Sequence, residues 1–264
     1  MYYDVSKYWG SKVMIENNEQ YSEHLKNVWN YLCGVKKSME MKNRYFFDND
    51  FSIKLKEIFE DRACLIEPNE ILYRARLYTE ADQIIKRREY SITESSDFRG
   101  YDKANSFVNY SSKWARPGRM NPEGIQCLYA ATDIDTCIKE LSPGFNELVS
   151  VAEIKVLDSI RYADLSMGVT MCDDDFSSSL SIYIQDLITQ GGNCEMEYLF
   201  PQYIAECCKS FGYDALAYRS KYCSRSEVYE NKGVNIAIFN LEKCEPIRSY
   251  LYTVDEIFYK SRPL

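Results

Sequence analysis

Apolar residues at steps of three and four dominate the first part of the chain. In NEQYSEHLKNVWNYLCGV, Tyr21, Leu25, Val28, Trp29, Leu32 and Cys33 fall on one face and predict an amphipathic helix. A second helical stretch runs through FSIKLKEIFEDRACLI, with Ile53, Ile58, Phe59 and Leu65 as its apolar positions, and the polar KKSMEMKNRYFFDND connects the two. From Glu67-Pro68-Asn69 onward the pattern changes to short strands between helices and loops. ILYRARLY (71–78) alternates, with Leu72 and Arg74 on one side and Ile71, Tyr73 and Ala75 on the other. Further strands are predicted at QCLYA (126–130), ELVSVAEIKV (147–156) and DALAY (214–218), with VNIAIF (234–239) as the last core strand. Helices are predicted at about 133–141, around Leu180, Ile184 and Leu187 up to Gly191-Gly192, and at FPQYIAECCKSFG up to Gly212. Thr132 and Asp133 are candidate caps for the first of these, and Pro143-Gly144 stops it. The stretch from about 90 to 118, rich in Ser, Asn, Asp and Gly, reads as a long loop. Thr253-x-x-Glu256 is a capping box that would open a short helix in the tail. Strands and helices mixed without regular βα alternation predict an α+β fold.

Composition narrows the chemistry. The 264 residues amount to between one and two domains at roughly 150 residues each. The patterns divide the chain into a helical extension, 1–66, and a second domain, 67–264. Thirty-two Lys and Arg against 40 Asp and Glu give a net charge of −8, which argues against a broad nucleic-acid or anionic-membrane surface. A local arginine cluster for a small phosphorylated ligand stays open. The single histidine, His24, lies one position off the helical stripe, so a His base, triad or multi-His metal site is not expected. None of the 10 cysteines forms a CxxC pair, no signal peptide is legible and no apolar run reaches the ~20 residues of a membrane span. A reduced, cytoplasmic protein without a metal is the expectation, its thiols packed as small apolar groups.

Phosphate loops of the GxGxxG and GxxxxGK[ST] types are missing, as is the GxSxG elbow. What remains is a set of polar residues on strand edges and loops. Arg74 and Arg76 project from one face of a strand, where buried guanidiniums need an anion or carboxylate and exposed ones need nothing. KWARPGRMNPEG carries Lys113, Arg116 and Arg119 in a turn punctuated by Pro and Gly, and such an arginine can fork onto a phosphate. Tyr129 ends an apolar strand before a helix, where a ring can stack on a flat ligand or simply pack. Glu140 lies in a helix whose apolar face is Ile134, Cys137, Ile138 and Leu141, and Ser220 follows the strand DALAY.

In order, the blocks LYRAR, GRMNPEG, LYAATDIDTCIKEL, FGYDALAYRS and GVNIAIF resemble the RES domain family over about residues 70–242. The most specific piece is GR-x-N-x-x-G followed by LY and, eleven residues after Tyr129, a helical Glu. The resemblance implies an ADP-ribosyltransferase-like mixed β core with flanking helices. It also implies a bacterial, toxin-like enzyme that degrades NAD, with NAD as substrate rather than cofactor. Phosphate or water would accept the ADP-ribosyl group, as in an NAD phosphorylase or glycohydrolase. ADP-ribosyl transfer to another target and a non-catalytic NAD-binding module are the alternatives. Carried over by position, Arg74 and Arg119 would hold the phosphates or ribose side of NAD and Tyr129 would stack near the nicotinamide. Glu140 would orient the ribose and stabilise developing positive charge, and Ser220 would hydrogen-bond the ligand. The implied partner is a helix-turn-helix antitoxin or another inhibitor, with homo-oligomerisation left open. The helical N-terminus, the 79–112 loop and KYCSRSEVYENK depart from the family pattern.

Overall fold

The computed structural model describes residues 19–43, 49–79, 97–108, 115–166, 176–190, 198–222 and 232–256. The chain begins with α1 (Glu19–Met41) and α2 (Asn49–Asp61), followed by β1 (Ala63–Ile66) and β2 (Ile71–Tyr78). A short α3 (Lys103–Ser106) leads to β3 (Leu128–Ala131), α4 (Ile134–Leu141), β4 (Leu148–Val156) and β5 (Ile160–Asp164). Then come α5 (Phe176–Gln190), α6 (Leu199–Ser210), β6 (Ala215–Arg219), β7 (Val234–Ile238) and β8 (Cys244–Thr253). The eight strands form one sheet in the order β1-β5-β6-β7-β3-β2-β4-β8, parallel only between β5 and β6. This is the α+β architecture that the pattern predicts.

The sheet is two well-paired groups that meet at a thin seam. β2 joins β4 through eight residue pairs from Ile71↔Lys155 to Tyr78↔Leu148, yet it joins β3 through Tyr73↔Ala131 alone. Register assigns the two faces. Tyr73, Tyr129, Ala131, Asn235, Ala237, Leu216 and Tyr218 share one face, because partners across antiparallel ladders point the same way. Leu72, Leu128, Ala130, Ile236, Ala215 and Ala217 lie on the other, packed with Phe107 and Val108. On the first face α1, α2, α5 and α6 cover the β5–β6–β7 side, while α4 covers β2, β3 and β4 through Ile134, Ile138 and Cys137.

Several predicted elements shift. α1 runs on into the segment expected to be a connection, as far as Met41, because Val35 and Met39 continue the buried stripe of Val28 and Leu32. Cys33 is exposed instead of lying on that stripe. In α2 the buried positions are Phe51, Leu55, Ile58 and Phe59, whereas Ile53 faces solvent. Residues 63–66, expected to be helical, form β1 against β5, with Leu65 exposed on this edge strand. VNIAIF is not the last strand: β8 follows and pairs with β4 along its length. Thr253 ends β8 and caps no described helix. Pro246 and a register shift at Glu153/Ile154 interrupt the alternation of β8, which an edge strand tolerates. The side chains of Tyr21, His24 and Leu25, most of the 79–112 stretch, Lys113, Gly191-Gly192 and most of KYCSRSEVYENK lie outside the described residues.

Candidate functional site

α4 sits beside β7 because its N-terminus is tied there. Asp133, the N-cap, accepts from the backbone N–H of Thr136 (2.8 Å), from the Thr136 hydroxyl (2.7 Å) and from the backbone N–H of Gly233 (2.9 Å) just before β7. Thr132, the other cap candidate, has its hydroxyl buried without a partner among the described residues. The helix stops where Ser142 takes a left-handed conformation at φ 48. Its apolar side covers the β2–β4 group, so its flank turns toward β7. On that flank Glu140 Oε1 accepts from Asn235 Nδ2 at 2.7 Å. Asn235 is buried in an otherwise apolar strand, and this bond satisfies one of its amide hydrogens.

Beside Asn235 on the same face is Tyr218, its register partner on β6. It is buried, and its hydroxyl makes no hydrogen bond to any described residue. Burial pushes this phenol up, Arg119 pulls it back down and the Glu140 carboxylate adds to the rise, so both charges are felt at the ring. Arg119, partly buried, has no hydrogen-bond or ion-pair partner among the described residues.

Arg119 is carried by a tight turn, Gly118–Asn121. The Gly118 N–H donates to the Asn121 carbonyl at 2.9 Å. The buried Asn121 amide donates to the carbonyls of Arg116 (3.0 Å), Pro122 (3.2 Å) and Ile125 (2.8 Å). Tyr129 closes the turn from β3: its hydroxyl donates to Asn121 Oδ1 (2.7 Å) and accepts from the Met120 N–H (2.8 Å). Position 118 has to be glycine, since a Cβ there would lie 2.6 Å from both the Tyr129 hydroxyl and Asn121 Oδ1. Burial holds the Tyr129 phenol far above its usual range. The polar end of Tyr129 is therefore engaged with the turn, and with it the placement of Arg119.

Ser220 is buried one alternation beyond Tyr218. Its N–H donates to the Gly233 carbonyl (2.8 Å) and its hydroxyl accepts from the Tyr222 N–H (3.2 Å). It lines a small open cleft with Asp133, Asp135, Thr136, Lys139, Tyr222, Lys232 and Gly233. Thr136 is one helical turn before Glu140, so the cleft and the Glu140–Asn235 pair adjoin along α4.

Arg74 stands apart from this group. Alternation along β2 turns it to the opposite face from Tyr73, and its guanidinium donates to the carbonyls of Phe107 and Ser106. Burial, together with the neighbouring Arg76 charge, lowers its pKa to about 10 against a weaker upward pull from Cys127. Arg76 donates to the Asn105 carbonyl (2.6 Å) and lies 4.6 Å from the centre of the Tyr101 ring. Both arginines thus fasten the 97–108 segment to the sheet. Arg119, Tyr129, Glu140 and Ser220 share one face; Arg74 is on the other.

Sequence reasoning did not single out Asn235, Tyr218 or Asn121 as site residues. A polar Asn inside VNIAI was the legible signal for the first, since a buried amide requires a partner. Tyr218 is one of 23 tyrosines and carries no mark of its own. Among the described residues no group of three or more His, Cys, Asp or Glu is gathered as for a metal ion, and no described helix is long and apolar enough to cross a membrane.

An α+β protein in which a carboxylate, an amide and a phenol gather on one face, near an arginine with no partner among the described residues, is thereby defined. The RES domain model matches residues 85–255, and the chain belongs to the RES domain family. The family is associated in general with toxin-like action on NAD and with Xre-type antitoxin partners. The match begins after β2, so Arg74 lies outside it while the other four candidate residues lie inside. No curated protein matches the chain.

Proposed function

We propose that the chain cleaves the nicotinamide–ribose bond of NAD, with inorganic phosphate or water as acceptor. The observation that carries this reading is the Glu140 carboxylate held by Asn235 beside the Tyr218 phenol, which has no described hydrogen-bond partner, with the Arg119 charge felt at the same ring. Nicotinamide is cationic in NAD and leaves as a neutral base. The C1′–N bond breaks with its electron pair going to the ring nitrogen, so no acid is needed to protonate the leaving group. What needs stabilising is positive charge on the ribose, and a fixed carboxylate does that without reorganising. Asn235 supports this role by orienting one carboxylate oxygen, while the other has no partner among the described residues. A water acceptor releases one proton and yields ADP-ribose; phosphate yields ADP-ribose 1″-phosphate.

In this reading Arg119 binds the pyrophosphate, since it brings five donors and no described partner. Ser220 and the cleft at the start of α4 lie on the ribose and phosphate side. Tyr129 contributes through the Gly118–Asn121 turn, and the face of its ring is the part left to meet a ligand. Arg74 acts from the far face, as support for the sheet seam and the 97–108 segment, rather than as a direct NAD contact. The proposed catalytic unit is residues 67–264, and an antitoxin or other inhibitor would restrain it by covering the site.

The test is incubation of the full chain with NAD, with and without inorganic phosphate, followed by mass spectrometry of the products. Free nicotinamide with phosphate-dependent ADP-ribose 1″-phosphate is the phosphorylase outcome, and ADP-ribose alone is the glycohydrolase outcome. Modified protein in place of free ADP-ribosyl products would move the reading to transfer. NAD left intact in every arm would overturn it.

A further inference from the structure

We infer that Gln202, on α6, is a positioning residue that holds Arg119 for its ligand; the assignment of that ligand rests on the NAD reading, but the clamp itself does not. Gln202 Nε2 donates to two carbonyls of the arginine turn, those of Gly118 (2.8 Å) and Asn121 (3.0 Å). Both partners are carbonyl oxygens, so the amide nitrogen, with its two hydrogens, must face the turn. Asn121 and Tyr129 secure the turn from within the same stretch of chain. Gln202 is more than eighty positions away in sequence and ties the turn by hydrogen bonds to the helical layer, into whose core Met120 of the turn also packs.

The clamp has a second effect. A guanidinium with five donors folds back on any nearby free carbonyl. Gln202 and the backbone bonds within the turn together fill the carbonyls of Gly118 and Asn121, so neither is open to Arg119, which has no acceptor among the described residues. α6 is itself braced from the opposite side. Phe200 and Tyr203 stack on Phe51 of α2, with ring centres 5.7 and 5.9 Å apart. The N-terminal helices thus buttress the helix that positions the arginine.

The experiment uses Gln202→Met, Gln202→Glu and Gln202→Lys in the full chain, with two readouts. Trypsin cuts after Arg119 but not after Arg116, which precedes Pro117, so the rate of cleavage at Arg119 relative to other sites reports the turn without reference to any substrate. The KM and kcat for NAD report the placement of the guanidinium. Removing the donors in the Met and Glu variants should speed cleavage at Arg119 and raise KM, each about tenfold for two lost hydrogen bonds, with kcat changed much less. Lys restores donors and should bring both readouts back to within about threefold of the parent chain. Unchanged cleavage in the Met and Glu variants would overturn the clamp, and so would a Lys variant as loose as the Met one. If the parent chain leaves NAD intact, the NAD reading fails while the cleavage arm still decides the clamp.

Discussion

At the scale of single residues, groups that would meet a ligand in the proposed reading differ from groups that hold them. Glu140 is the first kind. Replacing it by Gln keeps the volume and removes the charge, so NAD turnover should fall by at least ~10²-fold with the melting curve unchanged, the usual effect of losing one preorganised electrostatic group. Tyr129 is of the second kind. Tyr129→Phe strips the partner from the Met120 N–H and from Asn121 Oδ1. Leaving these polar groups unpaired should cost about 1–3 kcal/mol, measurable as a lower urea midpoint at unchanged slope. The thiols divide in a similar way. Burial pushes Cys127, Cys137 and Cys244 up to about 12, whereas Cys33 is exposed. Peptide mapping after brief alkylation of the native chain should find Cys33 modified and those three only after unfolding.

At the scale of elements, what was legible depended on whether a segment's own pattern matched its burial. β2 runs over the predicted 71–78, and α4 was readable because its cap, apolar stripe and stop all agree. β1 and β8 were not, since both stand at the ends of the sheet, where an exposed Leu65 or a Pro246 breaks the expected alternation. The site was legible in part for the same reason. Glu140, Arg119, Ser220, Asn235 and Tyr218 all sit in motif blocks, but Asn235 and Tyr218 are set side by side by register across β6 and β7, a relation between distant segments that no local pattern encodes. The N-terminal helices show the limit most clearly. Their sequence marks an amphipathic unit without saying what it covers. In the fold, Val28, Leu32, Phe51 and Phe59 join one core with Leu180, Ile184 and Ile188 of α5 and with Phe200 and Ile204 of α6. Removing residues 1–61 would uncover that core, so the truncated chain should lose cooperative unfolding and bind a hydrophobic dye. Phe51→Ala, a milder probe, should cost about 3–5 kcal/mol in urea denaturation.

At the scale of the whole molecule, charge has to be reconciled with a sheet whose two halves meet at one thin seam. Asp214, just before β6, gathers one end of the sheet: it accepts from the Arg161 N–H of β5 (2.9 Å), from the Asn240 amide (2.9 Å) and from Lys243 (2.9 Å) ahead of β8. Burial alone would raise its pKa, but the hydrogen bonds from Lys243, Asn240 and the Arg161 backbone outweigh that, and the carboxyl ends below its ordinary 3.8. A carboxylate lowered in the folded state stabilises the fold fully above its unfolded pKa, and that contribution disappears as pH falls through the folded value. The net charge of −8 works in the opposite sense near neutrality, where repulsion among the acidic groups is relieved by mild acid. Stability should therefore change little or rise slightly from pH 7 to about pH 5, then fall once pH drops below the ordinary Asp range near ~3.9. In Asp214→Asn the neutral amide cannot titrate, so the variant should be less stable than the parent at pH 7 and the gap should narrow below that range. Thermal unfolding of both chains between pH 7 and pH 3 checks this, and a gap that stays constant with pH would show that Asp214 acts through shape alone and not through its charge.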